Sequence, residues 1–285
     1  MPELPEVETI RLGLIKYLVG CKIVDVQVNI PKMFSGDKNN VIGAKITGLK
    51  RIGKGLIIEL DNDFVLAVHL KMTGQLVYSD EKTKNLILSP KVGGATLPSK
   101  YTHIIFKLQT TNYRLPAYLY YNDLRQFGWI KVVRKDEVMQ IPFFKEMGPE
   151  PLKDLTLEKF ADIISKSNLV IKVLLMDQKK IGGIGNIYAN DALFEAGIDP
   201  RQKAKSLTDV EARKLYDSIL KVLQKSLDYG GSSDENFVNA LGQEGDYQKH
   251  ALVYGREGEK CPCGGVIQKI QLGGRGTYFC EECQK

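Results

Sequence analysis

A chain of 285 residues predicts about two domains, and its 43% hydrophobic and 26% charged residues exclude both a disordered chain and a fibrous repeat. No apolar run is long enough to span a bilayer, and early glutamates stand where a secretion signal would be basic and then apolar, so a cytoplasmic protein is expected. The formal charge of +6 permits a polyanionic partner, and four of the five cysteines crowd into the final 25 residues, which reads as a metal site in a reducing compartment.

The chain opens Met1-Pro2-Glu3-Leu4-Pro5-Glu6-Val7-Glu8, a proline in second place with three carboxylates close behind. Removal of Met1 would expose Pro2 as a secondary amine. An α-amine of reference pKa about 7.7 to 8.0 is neutral far more often at pH 7 than a lysine at about 10.4. Such an amine can attack a carbonyl-like carbon and form a cationic iminium, with Glu3 and Glu6 as acid or base candidates beside it. The octapeptide also reads as a plain helix start, with Pro2 at the first helical position and the glutamates at the positive dipole end. Ile10, Leu14, Ile15 and Leu18 then recur at helical spacing over 9–19, and Gly20 stops the helix.

From residue 23 the period becomes two. Short β-branched or aromatic runs at 23–28, 55–60, 64–70, 102–108, 118–121 and 129–133 predict a strand-rich half, most simply a two-sheet sandwich. The polar stretch 78–100 reads as a long, mobile loop or insertion. Three prolines between Ile141 and Pro151 separate this half from a helical one. Thr156 predicts a cap for a helix bearing Leu157, Phe160, Ala161 and Ile164, and a second apolar helix covers 170–176. Thr208-Asp209-Val210-Glu211 is a capping box before a helix with Leu215, Ile219, Val222 and Leu223 on one face. Beyond Tyr229 the glycine-bearing stretch to Val253 reads as a loop that orders on binding.

Four constellations can carry chemistry. Cys261-Pro262-Cys263 and Cys280-Glu281-Glu282-Cys283 resemble the two knuckles of a zinc ribbon supplying four thiolates; the first has one intervening residue where two are usual. Buried or free thiols are the plain alternative, and His250 is a weaker ligand candidate. In 179–190 the glycines of Gly182-Gly183-Ile184-Gly185 precede a helix starting near Asn186, where exposed amides suit a phosphate, although a tight turn between packed helices explains them too. Tyr121-Asn122-Asp123-Leu124-Arg125-Gln126-Phe127-Gly128 and His69-Leu70-Lys71-Met72-Thr73-Gly74 lie at strand ends; an exposed Arg and Phe two apart can reach a base edge and wedge into a stack. Each alone is as compatible with core and rim, and Lys54 with a surface charge.

Together these residues resemble the bacterial formamidopyrimidine-DNA glycosylases. The resemblance rests on the Pro2 to Glu8 start, Asp123 to Gly128, Gly183 to Tyr188, Val253-Tyr254-Gly255-Arg256 and the cysteine tail with Arg275-Gly276-Thr277. It implies an α+β multidomain fold: an N-terminal β-sandwich with an N-terminal helix (1–140), a linker (141–152), a helix-two-turn-helix domain (153–245) and a C-terminal zinc-ribbon β-hairpin (246–285). It also implies a bifunctional glycosylase and abasic-site lyase of base excision repair, a monomer in the bacterial cytoplasm. Its partner would be double-stranded DNA holding oxidised purines or abasic sites, with no membrane involved. Pro2 would be the nucleophile and Glu3 an acid or base, with Lys54 also catalytic and Glu6 in support. Arg275 would donate the proton in β,δ-elimination. Met72, Arg125 and Phe127 would fill the gap left by the flipped base, and Lys54, His69, Asn186 and Arg275 would hold phosphates. Cys261, Cys263, Cys280 and Cys283 would bind one structural zinc. Residues 232–247 correspond to the family's loop over the flipped base. The short first knuckle and insertions at 78–100 and 110–116 depart from the family pattern. The rival readings are the sister branch acting on oxidised pyrimidines, disfavoured by Leu4 and the Met72, Arg125 and Phe127 set, and an inactive DNA-binding relative.

Overall fold

The computed structural model describes residues 1–110 and 116–285, so most of the expected 110–116 insertion lies outside the described residues. The chain divides into two compact units, Met1–Lys145 with Tyr229–Gln248, and Glu146–Asp228 with Lys249–Lys285.

The first unit begins with α1, Leu4–Leu18, whose N-cap is Glu3 and whose first turn contains Pro5. Pro2 therefore lies outside the helix, which corrects its reading as the first helical residue. The helix also starts earlier than Thr9, because a proline in the first turn sacrifices an amide that has no helical partner anyway. Nine strands follow: β1 Lys22–Val28, β2 Phe34–Ser35, β3 Ile46–Ile52, β4 Gly55–Leu60, β5 Phe64–His69, β6 Gly74–Ser79, β7 Thr102–Gln109, β8 Pro116–Asp123 and β9 Trp129–Arg134. They form a four-stranded sheet, β1-β7-β8-β6, and a five-stranded sheet, β2-β9-β5-β4-β3.

The inward side chains of both sheets, among them Leu56, Ile58, Leu66, Val68, Ile104, Phe106, Leu119 and Tyr121, bury the Val7, Ile10, Leu14 and Leu18 face of α1. Each such side chain contributes about 1.5–3 kcal/mol. The outer face of β4 and β5 is covered too, with Ile57, Val65 and Ala67 packing against Phe143 and Phe144. These phenylalanines belong to α2, Pro142–Lys145.

Two stretches differ from their expected character. Residues 78–100 are not a free loop, since Val92 is buried with Val77 and Val238 and packs on Leu88 and Leu97. The stretch 229–248 is likewise packed in place, with Phe237, Val238, Ala240 and Tyr247 all buried. Phe237 and Ala240 join the core of the sandwich and Val238 packs with Val77 and Val92, a property hidden by the polar composition of the stretch.

The second unit carries α3 Leu157–Ser165, α4 Ile171–Met176, α5 Asn186–Ala196 and α6 Asp209–Asp228, then a hairpin of β10 Gln268–Leu272 and β11 Arg275–Phe279. Thr156 caps α3. The capping box of α6 forms as well, Thr208 N–H donating to Glu211 Oε2 at 2.7 Å and Glu211 N–H to Thr208 Oγ1 at 3.3 Å. Among the described residues no helix is long and apolar enough to cross a membrane.

Candidate active site

The strand registers explain how separate motifs meet in the first unit. Gly55 opens β4 opposite His69 at the end of β5, and His69 lies opposite Trp129 at the start of β9. Gly74 opens β6 opposite Asp123 at the end of β8. One end of the sandwich therefore gathers Lys54, His69, Met72 and the 124–128 loop.

The three carboxylates of the opening octapeptide take three different tasks. Glu8 accepts from Arg51 Nε at 2.9 Å, Arg51 donates on to the Gly53 carbonyl at 3.0 Å, and Arg11 chelates the same carboxylate. Burial works to raise the Glu8 carboxyl, but Arg11 and Arg51 outweigh it and hold it below the ordinary carboxylate value. Glu8 thereby pins the start of α1 to the β3–β4 turn that carries Lys54. Glu6, 1% exposed, takes the Glu3 amide on Oε2 and the Ser232 amide on Oε1, both at 2.8 Å. Glu3 closes the capping box by accepting the amide at Glu6. Its Oε2 is buried and makes no hydrogen bond among the described residues. Pro2 itself is buried. The Met1 ammonium preceding it pairs with Glu235 at 2.6 Å.

Lys54 is 4% exposed in the two-residue turn Gly53–Lys54, where Gly53 takes φ 56° as such a turn requires. Gly55 must lack a side chain because a Cβ there would meet Phe143 Cε1 at 2.7 Å and Phe144 Cε1 at 2.8 Å. His69 is buried against Phe143, and its Nδ1 accepts the Lys71 amide at 2.8 Å. Burial first, then the charges of Lys71 and Lys54, push its imidazole down to about 3. It is neutral at pH 7, and the occupied Nδ1 puts its proton on Nε2.

The 124–128 loop projects exposed Leu124, Arg125 and Phe127, with Met72 half-buried across from it. The Arg125 guanidinium lies 4.8 Å from the Phe127 ring centroid. Fully buried Asp123 fixes this loop: Oδ1 accepts the Arg125 amide at 3.1 Å and the Thr73 hydroxyl, and Oδ2 accepts the Gly128 amide at 2.8 Å. A Cβ on Gly128 would strike the Tyr121 hydroxyl at 1.9 Å. Thr73 and the tying role of Asp123 were missed in the sequence, where Asp123 appeared only as part of a motif.

In the second unit Asn186 opens α5 after Gly185. The preceding turn is held by Gln178, whose Oε1 accepts the Gly183 amide at 3.0 Å and whose Nε2 donates to the Ile184 carbonyl at 2.7 Å. One turn further on, Asn190 Oδ1 accepts the Tyr278 amide at 2.8 Å, joining α5 to β11. Fully buried Asp191 gathers the amides of Leu252, Val253 and Tyr254 at 3.0–3.1 Å. Exposed Arg275 follows the Gly273–Gly274 turn, φ 56° and 73°, at the tip of the hairpin. Lys172 on α4, fully buried, supports that tip by donating to the Gly276 carbonyl at 2.8 Å and the Thr277 hydroxyl at 2.6 Å. A lysine in a short apolar helix gives no sequence signal of such a role.

The sulfurs of Cys261, Cys263, Cys280 and Cys283 lie within 4.8 Å of one another. Cys261–Cys283 and Cys263–Cys280 are separated by 3.4 and 3.7 Å. A tetrahedral zinc with Zn–S bonds of about 2.3 Å requires sulfurs about 3.8 Å apart. The set fits one zinc despite the short first knuckle, because Gly264 at φ 96° turns the chain directly after Cys263. His250 is not part of the cluster.

Residues 1–130 match the formamidopyrimidine-DNA glycosylase N-terminal domain, 147–237 the formamidopyrimidine-DNA glycosylase H2TH domain, and 258–285 the zinc finger found in FPG and IleRS. The formamidopyrimidine-DNA glycosylase of Pelotomaculum thermopropionicum is 40% identical, covering 100% of this chain and 99% of its own. That of Streptococcus mutans is 37% identical, with full coverage of both. Among solved structures, a Lactococcus lactis FPG mutant in complex with a Fapy-dG containing DNA superposes with a TM-score of 0.86 at 36% identity over 100% of each chain. MutM in complex with carbocyclic 8-oxo-G containing DNA gives 0.85 at the same identity and coverage. The chain belongs to the formamidopyrimidine-DNA glycosylase family.

Proposed function

We propose that this DNA glycosylase and abasic-site lyase removes oxidised purines, 8-oxoguanine and formamidopyrimidines, from duplex DNA with the amine of Pro2 as nucleophile. After Met1 is removed, the amine attacks the sugar C1′, the glycosidic bond breaks, and the base departs with a proton. Glu3, whose Oε2 is buried beside this end of α1, exchanges protons with the opening sugar. The resulting iminium acidifies the neighbouring C–H, so the 3′ phosphate and then the 5′ phosphate leave by elimination, Arg275 donating a proton. Lys54 supplies a fixed positive charge and assists catalysis, neutral His69 donates from Nε2, and Asn186 and Arg275 contact phosphates. Met72, Arg125 and Phe127 occupy the space of the flipped base, offsetting the few kcal/mol that unstacking costs. Zinc, when bound, cross-links the four thiolates and stiffens the hairpin carrying Arg275.

The enzyme would act as a monomer in the bacterial cytoplasm, and its functional division at 1–140, 153–245 and 246–285 belongs to the same proposal, with 229–248 packed into the first compact unit. The observation that carries it is the division of labour at the N-terminus. Glu8 and Glu6 anchor α1, Glu8 through Arg51 to the β3–β4 turn before Lys54 and Glu6 to Ser232, and Glu3 caps the helix directly after buried Pro2.

Borohydride reduction with an 8-oxoguanine duplex tests the mechanism. The Met1-processed protein is expected to form a covalent complex, and Pro2→Gly to lose it by about 1,000-fold or more. Undiminished trapping by Pro2→Gly would overturn the assignment.

A further inference from the structure

Residues 229–248 form a loop closed at its neck, where Asp246 and Tyr247 donate their amides to the carbonyls of Tyr229 and Gly231 at 2.9 and 3.0 Å. Its root rests on the N-terminal end of α1. Ser232 donates to Glu6, and a Cβ on Gly231 would come within 3.1 Å of Glu6 Oε1. Glu235, near the tip, reaches the Met1 ammonium. A base released from the carbon that Pro2 attacks must lie beside Pro2, so this loop forms a wall of its site.

The flank of the loop leans on residues 80–101. Ser89 Oγ donates to Glu244 Oε1 at 2.6 Å, and Lys91 Nζ donates to Glu244 Oε2 at 2.8 Å and to the Ser233 carbonyl. Gln75 Nε2 bridges the carbonyls of Lys91 and Asn236 at 2.9 and 2.8 Å, joining the two loops from below. The Ser89 amide donates to the Gly242 carbonyl at 2.8 Å, and a Cβ on Gly242 would meet Leu88 Cδ2 at 2.7 Å. Val92 and Val238 are buried in the same contact.

We infer that residues 80–101 are a buttress that holds the 229–248 loop in place before DNA arrives, making Ser89, Lys91 and Glu244 positioning residues for removal of the base. The inference rests on Pro2 being the reacting group. Ordering a loop on binding costs conformational entropy for each residue fixed, whereas a loop fixed during folding has already met that cost. The wall contacts a base and has nothing to contact at an abasic site. Its loss therefore raises KM for the base-bearing duplex and spares cutting of the abasic one.

The test uses Met1-processed Lys91→Met, which removes the ties from Lys91 Nζ to Glu244 and the Ser233 carbonyl, and Leu88→Ala, which loosens the apolar contact independently. In the free enzyme, amide exchange over 234–244 is expected to quicken about tenfold or more in each variant. KM for an 8-oxoguanine duplex should rise about fivefold, with cutting of an abasic duplex within twofold of the parent. Unchanged exchange in both variants, or equal losses on the two duplexes, would overturn the buttress. Failure of the parent to trap abasic DNA would instead overturn the Pro2 assignment, so the two failures are distinct.

Discussion

Arg125 and Arg275 are exposed arginines presented by tight turns, and one is supported by a buried acceptor and the other by a buried donor. The Arg125 loop is drawn in by a buried carboxylate, Asp123, which collects backbone amides from Arg125 and Gly128. The Arg275 tip is held by buried Lys172, whose Nζ donates to the Gly276 carbonyl and the Thr277 hydroxyl. The first turn also rests on a large apolar sandwich. The second belongs to a two-stranded hairpin, an element only marginally stable by itself. In each turn a buried polar side chain fixes the backbone, but the second needs a further restraint, and the four cysteines supply its ligands.

Removing that restraint should produce the largest effect. Structural zinc in finger peptides contributes on the order of 10 kcal/mol, so chelation should unfold the β10–β11 hairpin while leaving the sandwich intact. Metal analysis should find about one zinc per chain, and stripping should weaken duplex binding about tenfold or more as the Arg275 contact is lost. A stripped protein with unchanged hairpin NMR signals would show that thiol packing and Lys172 suffice.

The two buried supports can then be compared directly. Asp123→Ala leaves the Gly128 amide and the Thr73 hydroxyl without their acceptor, while the Arg125 amide keeps Thr73 Oγ1 at 3.0 Å. A loss of about 3 kcal/mol is expected in urea unfolding of the sandwich, and a loss below about 1 kcal/mol would contradict the tying role. Lys172→Met keeps the volume and removes the group that donates both hydrogen bonds, and exchanging a buried polar group for an apolar side chain of similar size is often mild. The expected cost is smaller, about 1–2 kcal/mol, and confined to faster amide exchange at Gly276 and Tyr278 with zinc retained. Equal global destabilisation by both variants would erase the distinction between the turns.

The same contrast separates what the sequence disclosed from what it concealed. The order of strands then helices was legible because apolar period two gives way to helical spacing. β3 escaped because a register shift between Ile46 and Gly48, followed by Lys50 and Arg51, breaks its alternation, and β6 because it is buried on both faces. Arg125, Phe127, Arg275 and the cysteines were visible as exposed or clustered motif residues. Their supports were not: Lys172 resembles any helical lysine, and Asp191 any helical aspartate. The return of 229–248 to the first unit depends on contacts with residues more than a hundred positions away, which no local pattern encodes.

The smallest stability change, and the cleanest separation of support from function, is expected at Phe127. Its side chain is 56% exposed, so Phe127→Ala removes little buried surface and should alter unfolding free energy by about 0.5 kcal/mol or less. What it removes is the ring beside the Arg125 guanidinium, a contact of about 0.5–1 kcal/mol that restrains a long side chain. Arg125 then samples more rotamers and any wedge into the base stack is gone, so binding to a lesion duplex should fall several-fold while binding to single strands changes little. Phe127→Leu should recover part of the loss, since an apolar wedge remains without the cation–π contact. If Phe127→Ala instead costs more than about 1 kcal/mol of stability with duplex binding intact, Phe127 serves the loop rather than the DNA.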